Sequence, residues 1–198
     1  YIRRDCIDQS AAEARDGVGG RHSTPVDVPA KLDGKQLRAR IQEAGLDDRV
    51  VVDSAGTGDW HLGQGANPRA VAVLDAAGYP NDHTARQITP EWFDGIDLVL
   101  AMDEANYADL ARLLARSGAS TELRMLRSFD PDLAHLPEPH PDLVVPDPYY
   151  GTDQDFVDVL HMVEKASGGV VSHAAAARDA VLALIAPPGR KDAPVIPG

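Results

Sequence analysis

One thiol, two loop histidines and an Asp-Pro-Tyr-Tyr run are the residues whose types could do chemistry. Cys6 is the chain's sole cysteine. It excludes an intrachain disulfide, zinc sites built from several cysteines, and thiol relays that need two or three. His135 and His140 are of metal-ligating type. They share no helical register and bring no paired carboxylate pattern, so a solvated loop is a better reading than a hydrolytic metal site. Asp147 stands before Pro148, followed by Tyr149, Tyr150 and Gly151. Taken alone, Asp-Pro starts a turn as readily as it presents a carboxylic acid.

The elements that must position these residues are legible from residue 29 onward. Leu32, Leu37, Ile41 and Leu46 form a rough helical stripe ending at Gly45. Val50-Val51-Val52 is a short buried strand closed by Ser54-Ala55-Gly56. Asn67-Pro68 is an N-cap followed by proline at the first helical position, and that helix stops at Gly78. Thr89-Pro90 opens a short helix through Trp92 and Phe93. Leu98 to Met102 is an apolar strand, and Asp103 caps a helix that runs to about Arg116. Leu123 to Leu126 reads as another strand. A long Pro-, Asp- and His-rich loop spans Asp130 to Pro146, and loops of that length are functional or disordered. A helix near Phe156 to Lys165, a break at Gly168-Gly169 and an alanine-rich helix to Ile185 complete the pattern.

Strands alternating with helices predict an α/β three-layer sandwich around a small parallel sheet. The domain is expected over 29–186. Residues 1–28 show neither helical nor strand periodicity, and the proline-rich 187–198 tail is expected to be disordered. Of the 198 residues, 43% are hydrophobic, enough for a core, and the net charge is −12. That sign disfavours nucleic acid and anionic membranes as partners. A local pocket of opposite sign still leaves room for an anionic substrate. No signal peptide opens the chain, and the lone cysteine fits a reducing, cytoplasmic setting.

Five segments in register carry a resemblance. They are Asp53-Ser54-Ala55-Gly56-Thr57-Gly58-Asp59-Trp60-His61, His83-Thr84-Ala85-Arg86-Gln87-Ile88, Met102-Asp103-Glu104-Ala105-Asn106, Met125-Leu126-Arg127-Ser128-Phe129-Asp130-Pro131 and Asp147-Pro148-Tyr149-Tyr150-Gly151. Together, over about residues 35–185, they resemble the low-molecular-weight protein tyrosine phosphatases, above all those of actinobacterial type. The resemblance implies four parallel strands, no metal and no organic cofactor. It implies phosphotyrosine proteins or small aryl phosphates as substrates, with a cognate tyrosine kinase as a further partner. In that family a cysteine thiolate in a Cys-x5-Arg loop attacks phosphorus and the arginine clamps the phosphate. Asp147 then matches the acid that protonates the leaving phenol and later activates water. Tyr149 and Tyr150 match the aromatic residues beside it, and Trp60 a position on the site's rim. Ser54 and His83 match the polar residues that support the phosphate loop. Each also has a plainer reading: Tyr149, Tyr150 and Trp60 as packing residues, Ser54 and His83 as a local buried hydrogen bond.

One part of the pattern is missing. Six positions after Cys6 stands Ala12, so the chain holds no Cys-x5-Arg. By register the loop falls near His22 to Leu32, with Ser23 at the nucleophile's place and Pro29 at the arginine's. A serine without an activating base is a weak nucleophile, and proline brings neither charge nor donor. The segment before it, Asp16 to Arg21 with three glycines, does not read as the apolar central strand that both sheet neighbours need. Two functions follow from the residues: hydrolysis of aryl phosphate monoesters, or a catalytically dead binding module of the same fold. Retention of Asp147 favours the first, because a pure binder needs no general acid. Arsenate reduction needs further redox cysteines and is excluded.

Overall fold

The computed structural model describes residues 2–4, 34–59, 62–80 and 84–185, with side chains over 34–59, 62–80 and 84–177. The elements are β1 (Ile2–Arg4), α1 (Lys35–Glu43), β2 (Val50–Val52), α2 (Pro68–Ala76), β3 (Leu98–Ala101), α3 (Glu104–Ser117), β4 (Glu122–Met125) and α4 (Asp153–Ile185), with 3-10 turns at Pro90–Phe93, Leu126–Phe129 and Pro141–Leu143. Cys6, Ser23, Pro29, Trp60 and His83 lie outside the described residues, as does the 187–198 tail.

Local chemistry sets the element ends where the sequence places them. Asn67 Oδ1 accepts the Arg69 N–H (2.8 Å) with Pro68 at the first helical position. Asp103 Oδ1 accepts the Asn106 N–H (2.7 Å) at the head of α3. At the ends of α1 and α2 the chain turns at Gly45 and Gly78, both left-handed. There Leu46 N–H reaches Ile41 O and Tyr79 N–H reaches Leu74 O, satisfying carbonyls that a helix end otherwise leaves orphaned.

β3 shows why a doubly covered strand is apolar at every position. Leu98 and Leu100 face one cluster with Leu37, Ile41, Leu74, Phe156, Val159 and Val163, contributed by α1, α2 and α4. Val99 and Ala101 face the other, with Phe93, Leu110, Met125 and Leu143, on the α3 side. Alternate residues of one strand thus feed two cores, which makes the three layers of the sandwich.

The sheet order is β2-β1-β3-β4. β3 and β4 are parallel, and β1 is antiparallel to both β2 and β3. So β2, β3 and β4 share a direction, and the central place is taken by a strand running the other way. Ile2 pairs with Val52 and Leu98, and Arg4 with Val50. The sequence predicts no strand in this stretch. The physical reason for the difference is that backbone N–H and C=O groups on both flanks need partners, whatever side chains their neighbour carries.

The expected break at Gly168-Gly169 is also corrected. α4 continues unbroken through both glycines. A Cβ built on Gly169 would meet Phe129 O at 2.0 Å, whereas one on Gly168 meets nothing within 4 Å. Gly169 is therefore there for contact with the 126–129 turn, and burial of the surrounding face outweighs the helix-breaking tendency of two glycines.

Candidate active site

Because β2, β3 and β4 point the same way, their carboxyl ends share one edge, the usual place for a ligand in a sheet of this kind. Ser54 follows β2 there, and Met102 follows β3. The segment that carries Asp147 is tied to the same edge: Val145 N–H donates to Met102 O (2.7 Å). Arg127 Nη1 donates to Val144 O (2.8 Å) from the turn after β4. Leu143 and Val145 are buried, 0% and 1% exposed. Earlier in the same segment, Glu138 accepts Arg124 Nε (2.5 Å) and the Met125 N–H. The 130–146 stretch is irregular in shape yet anchored at several points.

From Pro146 the chain emerges. Asp147 is exposed, and its Oδ1 accepts the Tyr149 N–H (3.0 Å). Gly151 N–H closes on Pro148 O (3.0 Å). The Tyr149 and Tyr150 rings meet edge to face, centroids 4.9 Å apart. Tyr150 is 81% exposed, so its packing reading is not supported; Tyr149, at 38%, is half covered. The turn passes into α4 where Asp155 Oδ2 accepts both the Thr152 N–H (2.5 Å) and its hydroxyl (2.7 Å), while the Asp155 N–H donates to Thr152 O (3.2 Å). Those bonds hold the Asp155 carboxyl below the usual aspartate range, the Thr152 hydroxyl contributing most.

Across the edge, Ser54 sits beside the amino end of α1: a Cβ on Gly34 would lie 3.9 Å from Ser54 Cβ. Ser54 N–H donates to Asp53 Oδ1 (2.8 Å). The same oxygen takes Arg38 Nη2 (3.2 Å) and Arg86 Nη2. Arg38 Nε also donates to Val52 O (2.8 Å). Residues 56 and 86–88 are stitched by Gly56 N–H to Arg86 O (2.8 Å) and Ile88 N–H to Gly56 O (3.0 Å). Ser54 is thus held by backbone and by a carboxylate bridging two arginines. Gln36, two residues past Gly34, is fully buried, and among the described residues neither amide atom has a hydrogen-bond partner.

The structure brings Asp147, Tyr149 and Tyr150 together on one turn and places Ser54 on the same edge of the sheet. Three residues of this edge went unassigned in the sequence reading: Asp53, Arg69 and Arg86. Asp53 and Arg86 both lie inside segments that carry the resemblance, and only their pairing across 33 positions exposes their role. His140 Nδ1 accepts the Asp142 N–H (3.1 Å), capping the 141–143 turn. Among the described residues no group of three or more His, Cys, Asp or Glu could hold a metal ion. Nor is any described helix long and apolar enough to cross a membrane.

The model of the low molecular weight phosphotyrosine protein phosphatase family matches residues 31–180. The chain is 47% identical to a low molecular weight protein-tyrosine-phosphatase of Streptomyces coelicolor, over 69% of this chain and 80% of that one. It is 46% identical to low molecular weight protein-tyrosine phosphatase A of Mycobacterium tuberculosis, over 71% and 78%. Among solved structures, the protein tyrosine phosphatase of Entamoeba histolytica superposes with a TM-score of 0.63 at 26% identity, covering 76% of this chain and 90% of that one.

Proposed function

The chain belongs to the low-molecular-weight phosphotyrosine protein phosphatase family, and from that membership we propose a site chemistry for phosphotyrosine in proteins and for small aryl phosphate monoesters, with Asp147 as proton donor. The observation that carries this reading is the exposed Asp147 carboxyl on a turn shared with Tyr149 and Tyr150, at the carboxyl edge of the sheet. As a nucleophile bonds to phosphorus and the P–O bond to the phenol breaks, the leaving oxygen takes the Asp147 proton, which lowers the barrier for a poor leaving group. The carboxylate so formed then takes a proton from the water that displaces that nucleophile from phosphorus and releases phosphate. Tyr149 and Tyr150 flank the substrate ring. Ser54 supports the phosphate side, with His83 and Trp60 in the support and rim roles that the resemblance implies.

The phosphate-holding half is where this chain departs from the family pattern, with Ser23 and Pro29 at the places of the thiol and the guanidinium. Hydrolysis therefore has to be read together with its dependence on Asp147. The test is turnover of an aryl phosphate by the purified, folded chain beside Asp147→Asn. The expected result is turnover that falls by about 10²-fold or more in the variant, the usual worth of a positioned acid. No turnover from a folded chain overturns the catalytic reading and leaves a binding module. A tyrosine kinase is the partner class that would supply the substrate. The lone cysteine supports a reducing, cytoplasmic setting.

A further inference from the structure

We infer that Arg69 is the positioning residue of the Asp147 turn, an inference that rests on the proton-donor role proposed above. Arg69 is the second residue of α2, and the Asn67 cap fixes its backbone (2.8 Å). Its side chain reaches across to residues more than 79 positions away in sequence. Nε donates to Asp153 Oδ1 (2.8 Å), Nη2 to Gly151 O (2.9 Å) and Nη1 to Tyr149 O (3.3 Å). The guanidinium carbon lies 4.4 Å from the centroid of the Phe156 ring, which is itself fully buried.

Two of these acceptors are main-chain carbonyls of the turn that carries Asp147. The bonds from Tyr149 N–H to Asp147 and from Gly151 N–H to Pro148 O shape that turn internally and do not tie it to the rest of the fold. Upstream it is held through Val145 and Met102. Downstream, Leu74 of α2 shares a core with Phe156 and Leu160 of α4, and an open cleft of about 440 Å³ lies beside that contact, lined by Arg69 itself, Asp153, Ala72, Val73 and Val157. The planar fork of Arg69, stacked on Phe156, joins the two sides. A lysine offers one point charge and cannot serve three acceptors in that geometry. The Asp153 pair is solvent-exposed (side chain 89%), so the carbonyl bonds and the stack matter more than the ion pair.

A residue that aims a general acid leaves a mark that a merely stabilising residue does not. Proton donation matters for a strongly basic leaving phenolate and little for a weakly basic one. Arg69→Ala is expected to lower kcat/KM, which reports the step in which the phenol leaves, for phenyl phosphate by about tenfold or more while changing that for dinitrophenyl phosphate by about twofold or less. Arg69→Lys restores the Asp153 pair alone and stays nearer to Ala than to the native enzyme. An equal loss with both substrates overturns the inference. The second arm is independent of turnover. Amide hydrogen exchange at 149–152 is expected to speed up in Arg69→Ala while α2 and α4 stay protected. Unchanged exchange there in a folded variant overturns the inference whatever the activity. If the native chain hydrolyses neither substrate, the catalytic reading fails on its own and exchange alone decides whether Arg69 holds the turn.

Discussion

Gly168 and Gly169 are neighbours in one helix, and the same substitution at each should move stability in opposite directions. In a helix interior, Gly→Ala gains about 0.5–1 kcal/mol from reduced backbone entropy and better helix propensity. Gly168 is exposed, and an added Cβ there meets nothing within 4 Å. Gly168→Ala should therefore realise that gain. At Gly169 the Cβ would sit 2.0 Å from Phe129 O and 3.0 Å from its carbonyl carbon. Carbon and oxygen ordinarily approach no closer than about 3.3 Å, so the overlap exceeds an ångström. The obstacle is main chain, which no rotamer change can relieve. The 126–129 turn is itself held by Ser128 Oγ to Met125 O (2.8 Å) and Asp130 N–H to Arg127 O (3.1 Å). α4 cannot slide freely either, because Ala166, Ser167 and Val170 around the contact are all 0% exposed. Overpacking of this kind costs about 3 kcal/mol, the upper part of the usual range. Subtracting the propensity gain leaves about 2 kcal/mol of net destabilisation. Urea unfolding of the two variants beside the native chain, at equal m-values, measures both numbers. The reasoning is refuted if Gly169→Ala matches or exceeds native stability, or if Gly168→Ala is destabilised as much as its neighbour.

Two further stability predictions have separate causes. Burial, and then the hydrogen bond from its hydroxyl to Glu164 Oε1 (2.7 Å), push Tyr79 up to about 12 from an ordinary value of 10.0. Its folded pKa lies above its unfolded one, so the associated stability is complete below pH 10 and is lost as pH rises through 12. The ceiling is about 2.7 kcal/mol, roughly halved by solvent at the half-buried ring. Denaturant titrations from pH 9 to 12 should show a steeper loss in the native chain than in Tyr79→Phe, and parallel curves would contradict the assignment. Gln36→Leu should stabilise the fold by about 1–3 kcal/mol, because it removes a buried amide with neither atom paired among the described residues; a lower unfolding midpoint would show that the amide is serving a partner.

What the sequence reveals about this fold divides by the range of the forces involved. Asn67-Pro68, Asp103 and Gly45 act within a few residues, so their caps are readable directly. The run from Leu98 to Ala101 is readable because burial on two faces demands apolar side chains at every position. Gly168-Gly169 misleads, because local propensity yields to a contact with Phe129 that has no local signature. Arg69 looks like an ordinary helix-start residue because each side-chain partner it has beyond α2 lies far along the chain. β1 is the strongest case. Ile2–Arg4 has two arginines in three residues and no strand pattern, and its pairing rests on backbone groups that are blind to side chains. Its direction bears on the chemistry. Arg4 pairs with Val50, at the start of β2, so β1 ends at the edge opposite Ser54, whereas α1 begins beside Ser54. A group delivered to the Ser54 edge is therefore close along the chain to Gly34 rather than to Arg4.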